Sequence, residues 1–415
     1  MMNKRRVVIT GLGCATSLGD SVDVFFDSVC KGKSGISNIE SFDVSQYPVR
    51  FAGVLKDFDI TKFVDVREGK RMDRFCQLAI ASAVQAVKDS GLDFSKEDLN
   101  RCGTIVGSGI GGIQEIEQQH IRLLNKGPRA VSPFTVPKLM GNAACGTISM
   151  MFGLKGPNFC VVTACASSSH SIGEAFFNIL TDRSDVMVTG GSEAAVSPVG
   201  LSSFCALRSL STRNDAPQLA SRPFDIDRDG FVLAEGAAIV VLEEYEHAKK
   251  RGAKIYAEML GYGATADAHH ITAPPPDGEG AARAMEIAIK QSGVAKEKFD
   301  YINAHGTSTE LNDVAETLAI KKVFGEHAYN LSINSTKSMI GHSLGASGVI
   351  ELVVACKTIQ TSVIHPTINL DNIDPKCDPK LDFVPKTAKQ MKVNDAASNA
   401  FGFGGHTCCL VVGKV

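Results

Sequence analysis

Cys165 is the residue of this sequence with the clearest setting for nucleophilic chemistry. It follows a short apolar strand and precedes a helix over about 167–180, and its neighbours, Ala164 and Ala166, are small. Free backbone N–H groups converge at such a junction, and the helix dipole there favours a thiolate over a thiol. A lone cysteine is more often a buried apolar residue, so the assignment depends on which other residues can act with it.

Two histidines occur in a similar setting in the second half of the chain. His305 follows a buried strand in NAHGTST, and His342 lies in the turn STKSMIGHSLGASG, which leads into a helix. The carboxyl ends of strands are where α/β proteins place their sites, and a core has little use for imidazoles there. A cysteine with two such histidines predicts nucleophilic acyl chemistry. We interpret His170 as structural, and the adjacent His269 and His270 as surface residues rather than metal ligands.

The elements around these residues predict an α/β fold made of two similar halves. Apolar segments alternate with amphipathic helices, which is typical of parallel sheets covered on both faces. The order strand, turn, functional residue, helix occurs at Cys165 and again at the second histidine turn, so duplicated halves are expected to face one cleft. We assign the halves to residues 1–254 and 255–415. The segment 114–145 is expected to be mixed, and 197–229 to be a long loop.

Composition excludes several classes of function. The chain has 415 residues, 44% of them apolar and 21% charged, with a formal net charge of −2. This charge balance argues against a nucleic-acid binder, and no apolar run reaches membrane-spanning length. The N-terminal segment lacks the apolar core of a signal peptide. The twelve cysteines contain no CxxC pair, which argues against a thiolate zinc site and favours a reducing, cytoplasmic compartment.

Several motifs together resemble those of the β-ketoacyl-acyl carrier protein synthases, the condensing enzymes of the thiolase fold. Among these, the chain is most similar to the elongating type II enzymes (synthase II). The motifs run from VVITGLG through TACASSSHS, LSTRND, SRPFDIDRDGFVLAEGA, NAHGTST and STKSMIGHSLGASG to NAFGFGGH. The resemblance implies a thiolase-like fold, in which two βαβαβαββ halves pack in α-β-α-β-α layers.

The resemblance also implies an activity. The expected enzyme is an acyltransferase of fatty-acid synthesis that condenses malonyl-acyl carrier protein with an acyl group bound to Cys165. The products are CO2 and a 3-oxoacyl-acyl carrier protein that is longer by two carbons. A synthase I type or a polyketide-type ketosynthase is the alternative. A thiol-inactive scaffold that only binds carriers is disfavoured, because the cysteine and both histidines are intact.

Site roles follow from the resemblance residue by residue. The catalytic triad is expected to be Cys165, His305 and His342, supported by Lys337 paired with Glu316. The backbone N–H groups of Cys165 and Phe401 are expected to form the oxyanion hole, and Phe401 also to act as the gate between the acyl pocket and the entry tunnel. Thr307 and Thr309 are expected to contact pantetheine, and Ile110 to limit acyl length. Thr407 departs from the family, which usually has asparagine at that position.

The resemblance implies partners but no catalytic metal and no cofactor, since the carrier's pantetheine brings the substrate. The acidic acyl carrier protein, in acyl- and malonyl-loaded forms, is expected to dock on Lys70, Arg71 and Arg74. A structural monovalent cation is held in some relatives at positions that match Asn303, Ala304, Glu351, Ser398 and Asn399. A homodimer is expected, without membrane insertion.

Overall fold

The structure is a computed structural model that describes residues 5–415. The first half of the chain starts and ends on the strands that lie nearest the second half. Its elements are β1 (Val7–Thr16), α1 (Val22–Cys30), β2 (Ile36–Asn38), β3 (Phe51–Gly53), α2 (Val66–Lys70), α3 (Arg74–Ser90), β4 (Cys102–Gly107), α4 (Ile113–Lys126), α5 (Thr135–Leu139), α6 (Ala143–Phe152), β5 (Asn158–Val161), α7 (Ser167–Leu180), β6 (Val186–Glu193), α8 (Pro198–Ala206), β7 (Gly236–Glu244) and α9 (Tyr245–Lys250).

The second half repeats the βαβαβαββ order with shorter connections. Its elements are β8 (Ala257–Ala266), α10 (Glu279–Ser292), β9 (Tyr301–Asn303), α11 (Glu310–Phe324), β10 (Ser332–Asn334), α12 (Lys337–Ile340), α13 (Ser347–Thr361), β11 (Val363–Ile364), β12 (Lys389–Gln390), β13 (Asp395–Gly402) and β14 (His406–Gly413). The predicted boundary at residues 254 and 255 lies between α9 and β8.

The main sheet shows the duplication in its strand order, which is β10-β9-β13-β14-β8-β1-β7-β6-β4-β5. Equivalent strands of the two halves are mirrored about the β8–β1 pair, which joins them through only Val7–Ile9 and Ala257–Met259. The prediction of purely parallel sheets was wrong. Strands β4, β5 and β6 are parallel, as are β9, β10 and β13, but β1, β7, β8 and β14 pair antiparallel.

Helices α7 and α13 contact each other, and each also packs on the sheet of its own half. Helix α3 packs on β1, β6 and β7, and α10 packs on β8 and β14. Gly348 permits the close approach of the two central helices, since a Cβ there would lie 1.9 Å from Ser169 Oγ. This packing gives the predicted α-β-α-β-α layers and brings the N-terminal ends of α7 and α13 together.

Local signals explain which helices could be predicted. The Asp73 side chain accepts a hydrogen bond from the N–H of Phe75 at the start of α3, and Gly91 ends that helix with a φ of 66°. These are ordinary capping residues, and α3 buries an apolar face. The segment 114–145, predicted to be mixed, contains most of α4, and the segment 197–229, predicted to be a long loop, contains α8. In α4 the apolar residues Ile121 and Leu124 are exposed, so this helix does not bury its apolar side in the core.

None of the helices within residues 5–415 has the length and apolarity needed to cross a lipid bilayer. All twelve cysteines, which fall inside this range, are free.

Candidate active site

Cys165 lies at a strained turn between β5 and α7. The residue before it, Ala164, has a φ of 48°, a region that L-residues rarely adopt. The Ser167 hydroxyl fixes this turn, because it donates to the Ala164 carbonyl at 2.7 Å and accepts from the Thr163 N–H at 2.9 Å. The second half repeats the turn before α13, where Leu344 has a φ of 45°. The duplicated halves therefore present two similar turns, and the first carries the thiol.

The Cys165 thiol is buried, and burial raises its pKa to about 12. The nearby Glu193 carboxylate raises the pKa further, whereas Lys337 and the backbone N–H groups of Phe403 and Cys165 lower it. Burial therefore opposes the lowering of the thiol pKa that is expected from the helix N-terminus.

The turn between β13 and β14 places a backbone donor beside the cysteine. The N–H that faces the sulfur belongs to Phe403, two residues beyond Phe401, which the resemblance implies as the oxyanion donor. The ring of Phe401 instead lies 5.5 Å from the ring of His305. Gly402 keeps the Cys165 N–H accessible, because a Cβ at 402 would lie 3.0 Å from that nitrogen. Thr407, the unusual residue, is buried and bonds to a carbonyl of β8 at 3.2 Å.

The two predicted histidines meet in the same cavity. Their ring centroids are 5.3 Å apart at an interplanar angle of 85°, and both side chains are buried. Burial, with the charge of Lys337, holds the pKa of His305 and of His342 well below the usual value, so both are neutral. Lys337 Nζ lies 3.3 Å from His305 Nδ1, and the Ser347 hydroxyl lies 2.9 Å from His342 Nδ1. An ammonium group has no acceptor, so His305 Nδ1 accepts from Lys337 and the His305 proton lies on Nε2.

Lys337 is a buried cation whose carboxylate partner differs from the predicted one. Its ammonium group pairs with Glu351 of α13, not with Glu316, and it also donates to the His305 carbonyl at 2.6 Å. Both side chains of this pair are 1% exposed. A lysine so placed is held as a donor toward His305, because its charge is already balanced by Glu351.

Glu316 has a different task, which is to hold the strand end that carries His305. Its carboxylate accepts the backbone N–H groups of His305 and Gly306, each at 2.8 Å, and the Asn399 amide at 3.1 Å. Burial raises the pKa of Glu316 to about 7, against the effect of these donors. The predicted supporting role of Glu316 therefore acts through the backbone and not through Lys337.

A cavity of about 440 Å³ connects these groups to the surface. Cys165, His305 and His342 line it, as do Thr307 and Thr309, whose hydroxyls are 2.9 Å apart. The remaining predicted substrate residue, Ile110, is exposed and lies outside this lining. His270 was interpreted as an ordinary surface residue, but its side chain lines the mouth of the cavity.

Buried oxygens without a donor occur at four of the five predicted cation-site residues. Asn303 Oδ1, Ser398 Oγ, Asn399 Oδ1 and Glu351 Oε2 have no hydrogen-bond partner among the described residues. Asn303 and Ser398 are register partners on β9 and β13, and α13, which carries Glu351, packs on both strands. Unpaired buried oxygens of neutral and acidic groups are the donor set that a hard monovalent cation would satisfy.

The predicted docking residues fall into two classes. Lys70 and Arg71 are exposed, and Arg71 pairs only with its neighbour Glu68. Arg74 is not free to dock a partner, because its guanidinium pairs with buried Glu235 and donates to a backbone carbonyl. This ion pair anchors the start of α3.

Sequence reasoning missed three residues that shape the site. Glu193 is fully buried and accepts the backbone N–H groups of Gly109, Ile110 and Gly345. Ser347 bonds to His342 Nδ1, and Phe403 faces the thiol. Only Glu193 carries a readable signal, since it is an acidic residue at the end of a buried strand. The roles of the others depend on how the halves pack.

Comparisons with known proteins agree with this geometry. The family described as "Beta-ketoacyl synthase, N-terminal domain" matches residues 4–248, and "Beta-ketoacyl synthase, C-terminal domain" matches residues 256–371. The chain is 49% identical to a 3-oxoacyl-[acyl-carrier-protein] synthase 2 of Synechocystis sp., covering 100% of this chain and 99% of the relative. It is also 49% identical to the protein of that name from Coxiella burnetii, covering 100% of both.

Solved structures give the same result for the fold. A β-ketoacyl synthase from Burkholderia phymatum superposes with a TM-score of 0.92 at 35% identity, covering 99% of this chain and 100% of the other. The ketosynthase of a type II polyketide system, solved in complex with its acyl-carrier protein, has a TM-score of 0.92 at 34% identity, with both chains fully covered. These likenesses confirm the predicted thiolase-like fold.

Proposed function

This chain belongs to the β-ketoacyl synthase family, and on that premise we propose the reaction that its cavity performs. It is a condensing acyltransferase that joins malonyl-acyl carrier protein to an acyl group on Cys165. The products are CO2 and a 3-oxoacyl-acyl carrier protein longer by two carbons. Identity of about 49% over the whole chain to fatty-acid condensing enzymes supports this reaction.

One observation carries the assignment of roles. Two neutral, buried imidazoles share a cavity with the thiol, and the Nδ1 of each is already in a hydrogen bond. With Ser347 donating to His342 Nδ1, as Lys337 does to His305 Nδ1, both Nε2–H groups are free to donate to one oxygen in the cavity. This arrangement suits an enolate oxygen, which develops negative charge when a malonyl thioester loses CO2.

Acyl transfer comes first in the proposed sequence. Cys165 Sγ attacks the thioester carbonyl, and the carrier's thiol leaves with a proton, so that an acyl-enzyme forms. The N–H groups of Cys165 and Phe403 donate to the carbonyl oxygen as it becomes an oxyanion. One such donor contributes on the order of 3 kcal/mol to transition-state stability.

Decarboxylation and condensation follow on the second substrate. Malonyl-carrier protein loses CO2, and His305 and His342 stabilise the enolate that remains. Carbon 2 of the enolate then attacks the acyl group, the bond from that group to Sγ breaks, and the restored thiolate regains a proton. Thr307 and Thr309 hold the pantetheine arm during both half-reactions.

The direct test is a product assay. Purified protein is incubated with malonyl-acyl carrier protein and a series of acyl-carrier proteins, and the products are resolved by mass. We expect 3-oxoacyl products two carbons longer than each accepted donor. A protein that binds the carriers but releases neither CO2 nor 3-oxoacyl products would contradict the proposal.

A polyketide-type ketosynthase is the second candidate, because the ketosynthase of a type II polyketide system matches the fold over the whole chain. Its identity of 34% is well below the 49% of the Synechocystis relative. The same assay separates the two reactions, since a polyketide enzyme would extend its own 3-oxo products repeatedly.

The carrier is proposed to dock at exposed Lys70 and Arg71. Reversing both charges, as in Lys70→Glu with Arg71→Glu, is expected to raise the KM for carrier-bound substrates more than that for short pantetheine thioesters. Lys298→Glu, at an exposed lysine of the second half, serves as the control. Equal effects on both kinds of substrate would argue against docking at this place.

A homodimer is proposed through the edge of the sheet at β5. This strand is the last of the sheet, and its outer edge carries the exposed apolar side chains of Phe159 and, just beyond it, Val162. An unpaired apolar edge strand is a template for a second copy of the same strand. The double variant Phe159→Glu with Val162→Glu should be a monomer by light scattering. The control, Ile287→Glu on α10, should remain dimeric. A dimer in both variants would exclude an interface at β5.

The orphaned oxygens around Asn303 and Ser398 are proposed to hold a structural monovalent cation. The cation would bind the Glu351 oxygen that Lys337 does not reach and satisfy the buried amides, without a role in bond making. Replacing K+ by a bulky organic cation should lower the melting temperature of the wild type but not of Ser398→Ala. An equal change of melting temperature in both proteins would contradict a cation at this site.

The cytoplasm is the proposed compartment. All twelve cysteines stand as free thiols, and a reducing compartment preserves them in that form, including the nucleophile.

A further inference from the structure

The loop that carries Thr307 and Thr309 is held in an unusual conformation. Ser308, between them, has a φ of 69°, a region sparsely populated by residues other than glycine. Thr309 stands at the N-cap position of α11, yet its hydroxyl bonds to that of Thr307 and does not cap the helix. Such a conformation persists only when the surrounding residues impose it.

Part of this constraint comes from the backbone of the segment between α8 and β7. The N–H of Arg222 donates to the Ser308 hydroxyl at 2.9 Å, and the N–H of Gly230 donates to the Ser308 carbonyl at 3.1 Å. These two bonds hold Ser308 from both sides. They do not reach the carbonyls of the next two residues, which lead into α11.

The guanidinium of Arg228 reaches those carbonyls. Its Nε donates to the Thr309 carbonyl and its Nη2 to the Glu310 carbonyl, each at 3.0 Å. Its Nη1 pairs with the Asp374 carboxylate at 2.8 Å, and the Asp313 carboxylate lies 3.7 Å from Nε. The side chain is 3% exposed. A planar guanidinium fixed by carboxylates behind it presents the remaining N–H groups at a set angle, which an ammonium group cannot do.

We propose that Arg228 is a positioning residue for the pantetheine arm. It fixes the threonine loop so that both hydroxyls face the cavity, and it therefore governs the affinity for any substrate that carries pantetheine. The inference rests on the proposed function, in which Thr307 and Thr309 contact that arm. Arg228 does not touch the reacting atoms, so the chemistry at Cys165 should not depend on it.

The test compares two acyl donors on Arg228→Lys. One donor is an acyl-pantetheine, and the other is the S-ethyl thioester of the same acid, which has no pantetheine amides. We expect the KM for acyl-pantetheine to rise about tenfold, as for the loss of one strong hydrogen bond. The rate constant for acylation by the S-ethyl thioester should stay within about twofold of wild type, because no loop contact is involved.

The control is Arg251→Lys, which breaks a comparable ion pair with buried Glu243 outside the cavity lining. It is expected to lower thermal stability without changing either kinetic constant. If Arg228→Lys slows acylation by both donors equally, the role of Arg228 is merely structural and the inference is overturned. Asp374→Asn, which keeps the arginine but loosens it, is expected to give the same selective rise in KM if Arg228→Lys does not fold.

Failure of the proposed pantetheine contacts would look different. If Thr307→Val with Thr309→Val leaves the KM for acyl-pantetheine unchanged, the threonines do not bind that arm. If this double variant raises KM while Arg228→Lys and Asp374→Asn do not, the contacts stand and the role of Arg228 is refuted. A selective rise in all three variants supports both.

Discussion

At the scale of single residues, the site depends on a lysine that never meets the substrate. Lys337 is 1% exposed, and its ammonium lies between the Glu351 carboxylate and His305. Donation from Lys337 keeps the His305 proton on Nε2, where it can stabilise an enolate. The ion pair thus fixes the tautomer of His305, and in the proposed reaction the imidazoles stabilise the enolate.

Removing the lysine should therefore damage both stability and catalysis. Lys337→Met leaves the Glu351 carboxylate buried without a cation, which costs about 3–5 kcal/mol of unfolding free energy. Lys321→Met breaks a more exposed pair with Asp378 and should cost about 0.2–1 kcal/mol. Denaturant titration measures both values.

Adding Glu351→Leu separates the two effects of Lys337→Met. The double variant should recover most of the lost stability, because no unpaired charge remains buried. It should still decarboxylate malonyl-carrier protein poorly, since His305 has lost its donor. Recovery of activity together with stability would show that Lys337 does not act through His305.

The motifs located the triad but not its supporting contacts. Cys165, His305 and His342 were predictable, because each follows a strand or turn whose sequence could be read directly. The partner of Lys337 was not, since Glu316 and Glu351 lie on different helices, α11 and α13, and the choice depends on their packing. The donor at Phe403 rather than Phe401 depends on the geometry of the turn after β13.

At the scale of elements, the site is assembled from two turns and a hairpin. The strained turn before α7 presents Cys165, and the β13–β14 hairpin brings the Phe403 N–H against the same sulfur. Gly402 forms the contact between them, with no room for a side chain. The two N–H groups proposed as the oxyanion hole therefore come from different halves.

A methyl group at the contact should impair acyl transfer specifically. In Gly402→Ala, the new Cβ would lie 3.0 Å from the Cys165 nitrogen and 2.7 Å from the Thr163 carbonyl oxygen. We expect acylation by a thioester to slow by about 10²–10³-fold through loss of an oxyanion donor. Alkylation of Cys165 by iodoacetamide forms no oxyanion, so it should change far less.

Gly146→Ala on α6 is the matched control, because a Cβ there meets open space. It should leave both rates unchanged. Equal slowing of acylation and alkylation in Gly402→Ala would point to general disruption of the cysteine turn instead.

Elements were predictable from the sequence wherever they bury an apolar face. Helix α3 has its caps and its core-facing stripe in the sequence, and the turns before α7 and α13 repeat the same order of elements. Helix α4 is the exception, because its apolar residues Ile121 and Leu124 are exposed and it does not bury them in the core. The antiparallel strands were misread for a related reason: a strand buried on both faces has the same composition in either direction.

At the scale of the whole molecule, ion clusters join elements far apart in the chain. His247 of α9 bonds through Nδ1 to buried Glu243 of β7 and through Nε2 to Glu97, which precedes β4. Hydrogen bonding to Glu243, with that to Glu97, raises the pKa of His247 to about 9. The imidazolium therefore ties the last strand of the first half to the loop after α3 at neutral pH.

This raised pKa makes stability depend on pH in a definite direction. The folded protein holds the His247 proton more tightly than the unfolded chain, whose pKa is near 6.5. The contribution is fully present below about pH 6.5 and is lost as the pH rises through about 9. Chemical denaturation between these values should show falling stability in the wild type and a flatter profile in His247→Gln. Identical slopes in the two proteins would contradict the assignment.

In the proposed reaction, Cys165 carries the acyl group while His305 and His342 stabilise the enolate. The most direct test measures CO2 release from malonyl-acyl carrier protein by Cys165→Gln, with and without His305→Ala. We expect Cys165→Gln to release CO2 without forming a 3-oxoacyl product. Adding His305→Ala should slow this release by about 10²–10³-fold. Equal CO2 release by the two proteins would contradict these roles.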